Sequence, residues 1–232
     1  MARVGGRPPR IGVDDIVRVG RGLGMQALSV KAVAAELGVS PTALYRYVDG
    51  RWALERLVGE SILTELTLTD DPTHGIERHL LSFALQLRAF THAHPGMAGY
   101  LQTLFPRGEA GRRVLADEVA ALVRRGYATD AAIVVCGAVA SMTIALAASE
   151  EVSAAAETED ADGLDRERLA AITHLAVDDR LGPAHLALPQ FGRPEYVRLL
   201  LTGAIRGLVH VAPPGRPVHE IVADLAATGE EL

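Results

Sequence analysis

Residues 29–48 read SVKAVAAELGVSPTALYRYV. Ser29 has the side chain of a helix N-cap. Val30, Val33, Ala34 and Leu37 follow as one apolar stripe at helical spacing. Gly38 stands where a chain leaving a helix takes a positive φ. Ser40 then caps a second helix, Pro41 takes its first position, and Leu44 and Val48 face inward. Two short helices are thus joined by Gly38-Val39-Ser40. Small Ala34 sits at their crossing, and Val33, Leu37, Val39 and Leu44 form a miniature core. This is the pattern of a helix-turn-helix, in which the second helix enters a DNA major groove.

The expected recognition helix is Ser40–Val48. Its DNA-facing candidates are Ser40, Pro41, Thr42, Ala43, Tyr45, Arg46 and Tyr47. The tyrosines can donate hydroxyl hydrogen bonds to phosphate, and Arg46 can reach a phosphate or a guanine edge. Lys31, in the first turn of the preceding helix, reaches toward the same groove. Backbone N–H groups after Ser29 and Ser40 favour anions, and Arg51 can pair with a further phosphate. The competing reading is a plain helical hairpin decorated with surface tyrosines.

Charge follows the same division. Over all 232 residues the net charge is −6, yet residues 1–51 hold eight basic and four acidic side chains. That head is +4 and the remaining 181 residues are −10. Polyanion binding depends on local charge and counterion release, although on charge alone a solvated fluctuation accounts for the head equally well. Arg3, Arg7 and Arg10 form an N-terminal arm. It reads either as a minor-groove contact or as a solubilising tail.

Outward from the motif nearly everything reads helical, so the expected fold is all-α. Val13, Ile16, Val17, Gly20 and Leu23 set a first helix, and Leu54, Leu57, Val58, Ile62 and Leu66 a fourth. The polar stretch 67–75 reads as a joint between a DNA-binding domain, 1–66, and a helical effector-binding and dimerisation domain, 67–232. Longer helices are expected at 76–92, 97–105, 108–125, 130–150 and 194–211, with weaker ones at 165–176 and 218–227. The stretch 152–163 reads as a loop and 182–194 as a Pro-rich connection. Ala131–Ser149 is 19 residues without a charge, long enough to span a bilayer. Its alanines, Gly137, Ser141 and Thr143 favour instead a helix buried in a soluble protein. With polar, basic opening residues, a cytoplasmic location and no membrane partner are expected.

The block from about Arg10 to Leu63, above all LGVSPTALYRYV, resembles the tetracycline-repressor-like (TetR) family of bacterial transcription regulators. The resemblance covers about a quarter of the chain. It implies an all-α homodimer with a three-helix head, a connecting fourth helix and a larger ligand-binding body. It also implies base contact by Lys31 and phosphate contact by Ser29, Tyr45, Tyr47 and Arg51. More weakly, RRGYATDAAIVVCGAVASMTIALAASEE and EYVRLLLTGAIRGLVH resemble the two dimerisation helices of the branch nearest the tetracycline repressor, implying self-association through helices near 130–150 and 194–211. Drug-responsive members hold a magnesium–drug chelate through a histidine whose place here is Leu101, so tetracycline with magnesium is not implied.

No catalytic constellation stands out. The eight histidines show no metal-ligand spacing, no nucleophile elbow is present, and the single cysteine, Cys136, lies in an apolar run. No cofactor and no metal are expected. Candidate lining for an apolar effector pocket is Phe83, Leu87, Phe90, His94, Met97, Tyr100, Leu104, Tyr127 and Met142. The resulting expectation is a homodimeric regulator of double-stranded DNA, a repressor released by a small apolar effector. The alternatives are a helical small-molecule carrier or enzyme whose head is a packing module, and a DNA-bound activator or architectural protein without effector.

Overall fold

Eleven α-helices and no strand make up the described residues of the computed structural model, 11–189 and 191–230. In chain order they are α1 (Val13–Ala27), α2 (Val30–Glu36), α3 (Pro41–Leu44), α4 (Gly50–Leu63), α5 (Ile76–Ala93), α6 (Met97–Thr103), α7 (Glu109–Arg124), α8 (Thr129–Ala176), α9 (Leu181–Leu186), α10 (Arg193–Val211) and α11 (Val218–Glu230). The arm arginines Arg3, Arg7 and Arg10 lie outside the described residues. The chain packs as two units: 1–68 with 93–118, and 69–92 with 119–232. The chain first passes from one unit to the other at 68–69. Helix α6 and most of α7 belong to the same unit as the helix-turn-helix, with α6 against α1 and α4.

In the first unit, α1 and α4 approach closely because Gly20 carries no side chain. A Cβ there would lie 2.4 Å from Val58 Cγ2. Ile16, Val33, Leu44, Leu54 and Val58 close the core of the head. Helix α2 begins where Ser29 Oγ accepts the Ala32 N–H at 3.0 Å. It ends in a Schellman arrangement: the Val39 N–H donates to Ala34 O at 3.0 Å and the Gly38 N–H to Ala35 O at 3.1 Å. Gly38 has φ +65°. A methyl group would meet nothing within 4 Å there, so Gly38→Ala tests backbone strain alone. The expected result is a loss of about 1 kcal/mol, read as a lowered urea midpoint with an unchanged m-value.

Helix α4 is held at several points along its length. The Glu60 carboxylate accepts the Ala110 N–H at 2.8 Å and the Gly111 N–H at 3.1 Å, capping α7 where a negative charge is favoured. Arg113 donates to Leu63 O, the last residue of α4, and to Leu66 O just beyond it. Arg21 of α1 donates to Ser61 O at 2.6 Å.

In the second unit, α5 contributes Leu80, Phe83, Leu87 and Phe90 to the core, and α8 contributes Val135, Cys136, Val139 and Ile144. Asp70 gathers Arg125 at 2.5 Å, Arg124 at 2.7 Å and buried His79 at 3.2 Å. The Arg125 guanidinium, ahead of the others, holds the Asp70 carboxyl well below the usual carboxylate range. Arg125 also donates to His74 O and Asp71 O, which fastens the 70–74 segment to the end of α7.

The structure departs from the sequence reading at 152–163. That segment is helical apart from Asp160, whose φ of −153° and ψ of 79° break α8. Ala154, Ala155 and Ala156 are strong helix formers, and the hydroxyls of Ser153 and Thr158 donate back to carbonyls four residues earlier. Acidity alone therefore does not make this stretch a loop. Asp160 restarts the helix by accepting the Gly163 N–H at 2.8 Å. Likewise, the Pro-rich connection at 182–194 contains most of α9, with Pro183 near its start, where a missing N–H removes no helical bond.

Candidate nucleic-acid interface

The second helix of the motif is shorter than its expected span. Only Pro41–Leu44 is regular α-helix; the chain then tightens, with the Tyr47 N–H bonding Leu44 O at 2.8 Å. The cause is the short distance to Gly50, whose φ of +81° turns the chain into α4. Leu44 and Val48 are buried and orient the whole 41–48 turn. Ser40 Oγ accepts the Ala43 N–H at 3.3 Å and fixes its start.

With those anchors inward, the candidate residues point out. Ser29, Lys31, Ser40, Pro41, Thr42 and Arg46 are exposed, and Ala43 is half-buried. Tyr45 is 57% and Tyr47 40% exposed. Among the described residues, the side chains of Lys31, Tyr45, Arg46 and Tyr47 make no hydrogen bond or ion pair. Arg51 is exposed but tied: its Nε lies 2.5 Å from Glu55 Oε1, and its guanidinium lies over the Trp52 ring at 5.5 Å. The result is an unpartnered surface of two phenols, an ammonium and a guanidinium, set on a buried hydrophobic footing. These groups can serve a polyanion with fixed grooves.

The nine residues expected to line an effector pocket fall in both units. In the second, Phe83, Leu87, Phe90 and Tyr127 are buried and Met142 is half-buried. Tyr127 donates to Ala212 O at 2.6 Å, and burial pushes its hydroxyl up to about 12. In the first, Met97 and Tyr100 are buried, His94 is half-buried, and Leu104 is 64% exposed. His94 lies 3.4 Å from Glu65; burial first, then Arg21, holds its imidazole below the usual histidine value. Leu101 is buried.

Sequence reasoning missed a cluster behind α4. Arg107 lies 4.5 Å from the Tyr100 ring centre and 5.6 Å from that of Trp52, with Glu55 3.7 Å away. The available signal was the chain's single tryptophan, adjacent to Arg51.

No protein-family model and no curated protein sequence matches the chain. Solved structures do. Apo ActR from Streptomyces coelicolor superposes with a TM-score of 0.71 at 22% identity, over 88% of this chain and 99% of that one. ActR, described there as a TetR family protein, in complex with actinorhodin gives 0.73 at 22%, over 90% and 100%. A TetR variant from Acinetobacter baumannii in complex with minocycline gives 0.62 at 17%, over 88% and 99%. The chain therefore has the all-α fold of TetR family regulators, with a helix-turn-helix head.

Proposed function

We propose that the chain is a homodimeric, DNA-binding transcription regulator that represses until a small effector releases it from its operator. The observation that carries this reading is the exposed, unpartnered face of Lys31, Tyr45, Arg46 and Tyr47, with Leu44 and Val48 buried beneath it. Ser29, Ser40, Thr42 and Arg51 supply the flanking phosphate contacts.

Dimerisation uses α8 near 130–150 and α10 near 194–211. Ile133 and Val134 on α8, and Tyr196, Leu199 and Leu200 on α10, are large apolar side chains left in solvent in the single chain. The 18-residue apolar stretch of α8 that is long enough to cross a membrane has 44% of its residues buried within the fold. It suits a core and interface helix of a cytoplasmic protein.

Ligand response is supported by the structural neighbours solved with actinorhodin and minocycline. In the second unit the buried Phe83, Leu87, Phe90 and Tyr127, with half-buried Met142, are the residues proposed for an apolar effector. Its binding would release DNA by its differential affinity for two dimer states.

The test is selection of bound sequences from random duplex DNA. The expected product is a palindrome whose half-sites are about 34–36 Å apart, one helical turn. Its log affinity should fall with log salt by about 0.9 per phosphate neutralised. No enriched sequence, or a flat salt response, contradicts the reading.

A further inference from the structure

A groove of about 650 Å³ runs along α4 in the first unit and has no part in the DNA reading. Trp52, Ala53 and Arg56 of α4 line it together with Leu104, Pro106 and Arg107. Trp52 is 58% exposed, although tryptophan is highly buried on average. Leu104 is exposed beside it. An exposed indole and an exposed leucine lining one groove favour a flat, apolar guest.

The charges select the sign of that guest. Arg51 and Arg107 already lie 5.5 and 5.6 Å from the Trp52 ring centre, which disfavours a further cation on the indole. Arg107 is otherwise engaged: its Nε donates to Leu104 O at 2.9 Å and its Nη2 to Tyr100 O at 3.2 Å. Arg51 is engaged with Glu55. Arg56 differs. It is exposed and, among the described residues, makes no hydrogen bond or ion pair. Asp49 is the acidic member of the lining, against Arg56 and Arg107; with Arg51 and the Glu55 that pairs with Arg51 and Arg107 counted in, the arginines still outnumber the carboxylates and the groove is net positive.

We propose that this groove is a binding site for a planar aromatic anion, its ring system against Trp52 and Leu104 and its acidic group on Arg56. The proposal stands without the DNA reading, and its test uses no DNA.

Trp52 is the single tryptophan, so its emission reports occupancy directly. The full chain is titrated with 9-anthracenecarboxylate and, in parallel, with the neutral 9-anthracenemethanol. The expected result is saturable quenching by the carboxylate, with an apparent Kd at least tenfold lower than that of the alcohol. Arg56→Gln should raise the carboxylate Kd at least tenfold, and Trp52→Ala should abolish the heat of binding in calorimetry. Because both side chains are exposed, neither change should unfold the chain. Quenching that does not saturate, equal affinity for acid and alcohol, or binding unchanged by Arg56→Gln overturns the proposal.

Discussion

Arg46→Ala raises the Kd for the selected operator about 5- to 150-fold per half-site, the equivalent of about 1–3 kcal/mol for one guanidinium reading a base edge. The Arg46 side chain is exposed and has no partner among the described residues. Its removal therefore leaves stability within about 0.5 kcal/mol of the parent. In a homodimer the loss falls on both heads, so the whole-site effect exceeds that of one half-site. Tyr45→Phe serves as the comparison. It removes the hydroxyl proposed to contact phosphate, and on that reading weakens binding by about 1 kcal/mol per head, uniformly across sequences. Gel-shift titration at several salt concentrations separates the two. If neither change alters binding, the 41–48 turn is not the reading element.

The largest expected effect on stability lies in the second unit, at Glu150. This carboxylate is buried, yet Arg88 donates to both of its oxygens, at 2.8 and 2.6 Å, and His92 lies 3.0 Å away. Burial by itself would raise its pKa; the Arg88 and His92 contacts outweigh burial and hold it below the ordinary 4.5. Glu150→Ala leaves Arg88, itself mostly buried, without its counter-charge. Breaking a buried pair from one side costs about 3–5 kcal/mol, read as a lowered urea midpoint at pH 7. Arg88→Met combined with Glu150→Leu should recover most of that loss, because no lone charge then remains.

The pH dependence of this pair has a fixed sign. The folded-state pKa is depressed, so the ion pair stabilises above the unfolded value and is lost as pH falls through the folded one. The gap between parent and Glu150→Ala therefore narrows below pH about 4. An unfolding free energy at pH 7 that changes by less than about 1 kcal/mol would show that Glu150 exchanges its partners for water at little cost.

The helix-turn-helix was legible because its determinants are local. Ser29 and Ser40 cap helices through N–H groups three residues on, and the positive-φ turn at Gly38 is closed by its own N–H on Ala35 O and the Val39 N–H on Ala34 O. Such contacts need no distant partner, so a short window of sequence contains them. The extent of the second helix was less legible. Its truncation at Leu44 depends on how soon the chain must turn at Gly50 to begin α4. Similarly, the acidic composition of 152–163 suggested a loop, while its alanines kept it helical to Asp160.

By itself the sequence determined the helical character, the capped motif and the inward Leu44 and Val48, since periodicity and caps act within one or two turns. Tertiary structure alone decided which distant groups meet. Glu60 caps α7, Arg125 fastens the 70–74 segment, Arg88 reaches Glu150, and Arg107 comes to rest beside Trp52. Each joins residues tens of positions apart, and side-chain charge or size does not encode a partner until packing has brought the helices together.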